Sequence, residues 1–101
     1  MQRDNVRSFL SGVLCANSLP HLATAAAGHQ HMSPLGGRTS GRWANLVWGA
    51  ANLAGGLVLI SRPPGRGRRW GPRYRAFGHG VAAFSLWAAA AENVFAMNVD
   101  P

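Results

Sequence analysis

One hundred and one residues suffice for a single small domain and are too few for two separate cores. Hydrophobic residues form 48% of the chain and charged residues 13%, about half the share usual in a soluble domain, and the net charge of +7 is all arginine. Too few charges remain to give each helix of a soluble bundle a polar face, and one cysteine, Cys15, excludes an internal disulfide. The mean hydropathy of −0.01 hides this pattern, because ten arginines in connecting segments pull down the average of three apolar blocks.

After the polar start "MQRDNVR", residues 8–27 ("SFLSGVLCANSLPHLATAAA") contain no arginine, lysine or carboxylate. Their length matches the ~20 residues that carry a helix across ~30 Å of hydrocarbon, so a first transmembrane helix is expected. A secretory signal peptide is the rival, with "ATAAA" as a small-residue cleavage site before Gly28; cleavage would leave a two-helix hairpin. Asn17, Pro20 and His21 interrupt the apolar run and weigh against it. Leu14, standing before Cys15, is wrong for a lipoprotein signal, and Cys15 reads as an apolar core thiol. Residues 28–42, "GHQHMSPLGGRTSGR", form a turn-rich loop. Residues 43–61 ("WANLVWGAANLAGGLVLIS") have no ionisable side chain and give the second span. Residues 62–75, "RPPGRGRRWGPRYR", make a loop whose prolines cannot continue a helix, and residues 76–97 give the third span.

The expected fold is therefore an all-α membrane protein, one domain of three transmembrane helices in an antiparallel up-down-up bundle. Strands are disfavoured, because the segments lack period-two alternation and lipid leaves no backbone group unpaired. Arg3, Arg7, Arg62, Arg66, Arg68, Arg69, Arg73 and Arg75 fall on one side of such a bundle, which makes the amino terminus cytoplasmic and the carboxyl terminus external. Trp43 then sits at the outer boundary, with Trp70, Tyr74 and Phe77 near the inner one. His79 reads as an interfacial residue.

Polar residues inside the spans are the candidate site. Asn17, His21 and Thr24 share one face of the first helix, Asn45, Gly49, Asn52 and Gly56 one face of the second, and Ser85 and Glu92 are seven apart on the third. The stripes imply a shared seam of Asn17, His21, Asn45, Asn52 and Glu92. At ~1.5 Å per residue, Asn17 and Asn52 fall near the midplane and His21, Asn45 and Glu92 ~6–10 Å toward the outside. Glu92 must there be protonated, paired with His21 or hydrated, and the residues leave those three open. Pro20 releases the carbonyl of residue 16 from its helical partner and permits a kink. Asparagines in such a seam act first as interhelical glue, and Gly49, Gly55 and Gly56 permit close helix packing.

Other chemistries have less support. His21, His29 and His31 with Glu92 or Asp100 lack the ligand spacing of a zinc site, so no metal and no cofactor is expected. "RGRRWGPRYR" interleaves arginine with Trp70 and Tyr74 as a base-stacking surface would, but arginines beside a span set topology and grip anionic headgroups at ~1 kcal/mol each. Arg62, Arg66, Arg68, Arg69, Arg73 and Arg75 are thus expected to contact lipid, with no nucleic acid as partner. Hydrolase and nucleotide-binding motifs are missing, which argues against an enzyme.

Over residues 17–56, "NSLPHL", "SPLGG" and "NLVWGAANLAGG" resemble a group of small bacterial integral membrane proteins with an N-x-x-P-H first span and an N-x-x-W-G-x-x-N second span. The resemblance implies a multi-helix protein of the bacterial plasma membrane and gives Asn17, Pro20, His21, Pro34, Asn45, Trp48, Gly49 and Asn52 no roles. The function expected is association, as an accessory subunit of other membrane proteins or as a homo-oligomer. The alternative is an oligomeric transporter or channel component moving protons or a small polar solute along the His/Glu/Asn seam. A membrane-embedded enzyme using His21 and Glu92 as acid and base ranks last.

Overall fold

A computed structural model describes residues 3–37, 39–61, 70–95 and 98–99, and for Trp70, Phe95, Asn98 and Val99 the backbone alone. Three helices dominate: α1 (Arg3–Ala27), α2 (Arg42–Ser61) and α3 (Trp70–Phe95). Two short strands, β1 (Gln30–His31) and β2 (Asn98–Val99), pair antiparallel, with Gln30 opposite Val99 and His31 opposite Asn98. A stretch of two residues carries no periodicity, so this pair has no sequence signature.

Local chemistry sets the helix ends. Gly28 adopts a left-handed φ of 74°, its N–H bonds to the Ala25 carbonyl and the His29 N–H to the Thr24 carbonyl. These two hydrogen bonds close the last turn of α1 and turn the chain into the loop. Residues 63 and 64 are both proline, directly beyond the end of α2 at Ser61. At the other two ends the helices are longer than expected. α1 begins at Arg3 rather than residue 8, and α3 takes in "WGPRYR", because Pro72 lies in the first turn, where N–H groups have no helical acceptor. Pro20 is likewise accommodated inside a continuous α1.

α1 is the central element. Both α2 and α3 pack along it and hardly meet one another. A methyl group at Gly12 would lie 2.1 Å from the Phe77 carbonyl oxygen, and one at Gly80 2.0 Å from that of Phe9, so α1 and α3 cross backbone to backbone. On its other face α1 meets α2, where methyl groups at Gly49 and Gly56 would reach Leu22 Cγ at 2.8 Å and Cys15 Sγ at 2.5 Å. Gly55 is looser, with Leu14 at 3.6 Å.

Burial runs opposite to that of a water-soluble core. Among the described residues the buried apolar side chains are four alanines, Ala16, Ala25, Ala76 and Ala91, whereas Ser8, Ser11, Ser18, Asn45 and Arg73 are almost wholly enclosed. Large apolar side chains point away from the protein: Leu19, Trp43, Leu86 and Val94 are 66–75% exposed. The buried positions of α2 are Asn45, Gly49, Asn52 and Gly56, which leaves leucine, valine and tryptophan on its outer surface. By length and composition α2 is the one helix among the described residues apolar enough to cross a membrane. α1 and α3 fall short because serine, asparagine, histidine, arginine and glutamate occupy them, so the expectation of three separately apolar spans is met by one.

Candidate functional site

The site is built outward from Asn45, whose side chain is fully buried one turn into α2. Its Nδ2 donates to the carbonyls of His31 (3.2 Å), Ser40 (2.8 Å) and Gly41 (2.9 Å), which welds the loop to the helix. Three carbonyl acceptors fix the amide orientation, so Oδ1 is an acceptor and faces His21 Nδ1 at 2.7 Å. His21 Nδ1 therefore carries a hydrogen. In the neutral ring Nε2 is then left with its lone pair.

The loop repeats this economy on a smaller scale. Ser33 and Gly37 exchange backbone hydrogen bonds at 3.1 and 2.9 Å, with Gly37 at a φ of 75° closing the turn through "SPLGG". Ser33 Oγ donates to Ser40 Oγ at 2.9 Å, and Ser40 Oγ donates to the Gly37 carbonyl at 2.7 Å. His31 lies beneath this turn, its ring edge-on to His21 with centroids 4.8 Å apart. Burial, and secondarily the nearby His21 ring, hold the His31 pKa below the ordinary 6.5, while the Glu92 carboxylate acts in the opposite direction.

Below the loop a cavity of about 760 Å³ opens between α1 and α3, lined by Asn17, Pro20 and His21 of α1, Trp48 of α2 and Phe84, Trp87 and Glu92 of α3, with His31 and Met32 above. A second cavity of about 370 Å³ continues it along α1 and shares Asn17, Phe84 and Trp87. Asn17 Nδ2 donates to Asn52 Oδ1 at 3.0 Å, and Asn52 Nδ2 bonds back to the Trp48 carbonyl at 2.8 Å.

Of the five seam residues, Asn17, His21 and Glu92 line the larger cavity, Asn52 lines the smaller, and Asn45 stands behind His21 as its support. Ser85 lies off this face, exposed and bonded to its own helix at the Val81 carbonyl. Among the described residues no group of three or more histidines, cysteines or carboxylates is placed to hold a metal ion.

Arg73 departs from its expected role. Expected at lipid headgroups, it is 1% exposed, with Nε donating to Ser8 Oγ at 3.2 Å and Nη2 reaching the carbonyls of Leu59 (3.4 Å) and Ile60 (3.3 Å). A cation at the last carbonyls of α2 meets the negative end of that helix, and the same side chain ties all three helices together. Arg75 is exposed, and Arg62, Arg66, Arg68 and Arg69 lie outside the described residues.

Sequence reasoning also missed the glycines of the α1–α3 crossing and the bond from Ser11 Oγ to the Gly56 carbonyl at 2.5 Å. The signal was there: Ser8, Gly12 and Ala16 repeat a small residue every fourth position on a second face of α1, as Ala76 and Gly80 do on α3. No family model, curated protein or solved structure matches the chain.

Proposed function

We propose that this chain is a small integral membrane protein, crossing a bacterial plasma membrane three times with its amino terminus cytoplasmic, and that it acts by association with itself or with other membrane subunits. The observation that carries the membrane reading is the inverted burial. Enclosing serine, asparagine and arginine while exposing leucine, valine and tryptophan is unfavourable in water and suits lipid, where apolar surface has no reason to hide and polar groups must find partners. Exposed Arg75 and the arginines of residues 62–69 suit anionic headgroups on the cytoplasmic side. The likeness over residues 17–56 points the same way.

Association draws its support from α3. Gly78, Ala82, Ser85 and Ala89 are all exposed and recur at helical spacing, and among the described residues nothing beyond its own helix lies within 4 Å of a methyl group built on Gly78. A stripe of small side chains facing lipid is how helices from separate chains approach closely. Gly49 and Gly56, by contrast, are taken up by α1. Replacing Gly78 or Ala82 with leucine is expected to shift crosslinked oligomers or native complexes toward the single chain without lowering the thermal midpoint. Unchanged complexes in both variants would remove the association reading from α3.

A second reading, movement of protons or a small polar solute, is supported by one observation: two cavities that share Asn17, Phe84 and Trp87 have Asn17, His21, Asn52 and Glu92 among their linings. His21→Gln and Glu92→Gln should then abolish proton-linked flux in liposomes, and flux that survives both dismisses this reading.

A further inference from the structure

Two hydrogen-bond relays start on backbone carbonyls and run to the larger cavity, and each ends on an acceptor. In the first, the carbonyls of His31, Ser40 and Gly41 hold Asn45 Nδ2, so Asn45 Oδ1 takes the His21 Nδ1 hydrogen and the neutral ring keeps a lone pair on Nε2. In the second, the Trp48 carbonyl holds Asn52 Nδ2, so Asn52 Oδ1 accepts from Asn17 Nδ2 and Asn17 Oδ1 is left as an acceptor. Among the described residues neither His21 Nε2 nor Asn17 Oδ1 meets a donor. His21 is 4% exposed, so its Nε2 can be satisfied only by what enters the cavity that it lines.

Both residues lie on one face of α1, one turn and ~6 Å apart along the axis. Phe84 and Trp87 stand on the α3 side with ring centroids 5.9 Å apart and tilted by 41°, and Trp48 lines the cavity from α2. Two acceptors at that spacing, beside aromatic rings, suit a flat ring with a hydroxyl at each end, since hydroxyls donate and ring faces stack. A volume of about 760 Å³ accommodates such a ring with apolar substituents.

We infer that this cavity binds a lipid-soluble 1,4-hydroquinone and prefers it to the corresponding quinone. One hydroxyl donates to His21 Nε2 and the other to Asn17 Oδ1, with the ring against Phe84 and Trp87. Its substituents extend toward the smaller cavity, which shares Asn17, Phe84 and Trp87. A quinone lacks both hydroxyl hydrogens and would set carbonyl lone pairs against the two acceptors, leaving polar atoms unpaired on each side. The site distinguishes the two forms by their hydrogens and transfers no electron. All its walls belong to one chain, so it stands apart from any association with other subunits.

The test is equilibrium dialysis of trimethylhydroquinone, under argon near neutral pH, against the protein in phosphatidylcholine nanodiscs, with empty nanodiscs subtracted. The monomethyl ether, the dimethyl ether and trimethylbenzoquinone keep the ring and remove one or both donated hydrogens. The expected result is saturable binding of one hydroquinone per chain, about threefold to tenfold weaker for the monomethyl ether and at least about tenfold weaker for the dimethyl ether and the quinone. His21→Phe keeps a ring and removes Nε2, and should reduce the preference for hydroquinone over dimethyl ether by at least about threefold. Should that variant fail to fold, the four ligands on the unaltered protein decide the matter by themselves. No saturable binding of the hydroquinone, any of the three analogues held as tightly as it is, or an unchanged preference in folded His21→Phe each overturns the inference.

Discussion

Asn45 joins the loop to two helices, because one carboxamide satisfies three loop carbonyls and orients an imidazole. The amide geometry predicts that His21 is protonated at Nδ1 when neutral. A nitrogen-15 correlation spectrum of the labelled protein near pH 8 should show the Nδ1–H form, and a predominant Nε2–H form would contradict the assignment. Asn45→Leu should unfold the loop and lower stability by several kcal/mol, since each buried polar group left unpaired costs ~1–3 kcal/mol. His31 adds a pH dependence. Its pKa lies below 6.5 in the fold, because burial and the His21 ring outweigh Glu92, so the folded state binds fewer protons than the unfolded one as pH falls. Stability is therefore held above about pH 6.5 and lost on acidification through it. Thermal midpoints at pH 7.5 and 5.5 should drop on acidification, and by less in His31→Gln.

Two glycine pairs distribute the work between helices, and their substitution costs should separate cleanly. Gly12→Ala and Gly80→Ala drive a methyl group into a facing backbone carbonyl and should each cost ~1–3 kcal/mol, as overpacking does. Gly55→Ala meets only Leu14 at 3.6 Å, and in an open helix position such a change gains ~0.5–1 kcal/mol of helix propensity. Denaturant titrations in micelles that ranked Gly55→Ala below Gly12→Ala would refute the assigned crossing. The inward face of α2 was legible because it is a single stripe at spacings of four, three and four, Asn45-Gly49-Asn52-Gly56, against apolar surroundings. α1 was read only in part. It has two buried faces, and the conspicuous polar one, through His21, drew attention from the plain Ser8-Gly12-Ala16 one. Arg73 was illegible among six arginines of one loop, since nothing local distinguishes a guanidinium that turns inward to cap a helix from neighbours in solvent or headgroups. The strand pair joins residues 67 or more positions apart through two residues each, below any periodic signal.

At the scale of the molecule, the proposed lipid environment is the prediction to test, because the burial of serine, asparagine and arginine beneath exposed leucine, valine and tryptophan is unfavourable in water. Alkaline carbonate washing should leave the protein in the membrane pellet. With Cys15 replaced by serine, a cysteine at Leu35 should react with an impermeant maleimide in intact cells, and one at Gly67 only after permeabilisation. The reverse pattern would invert the topology, and release by carbonate would remove the membrane altogether.

Because α2 and α3 each lean on α1 and scarcely on one another, the covalent link between them is the connection that packing relies on least. Severing the chain within residues 62–69 and co-expressing the halves should therefore still yield a reconstituted particle, with the α3 fragment recruited in trans through Gly12 and Gly80. A Gly80→Leu fragment should fail to be recruited. Duplication, swapping or exchange of the third helix between copies is thus open to this architecture at little conformational expense.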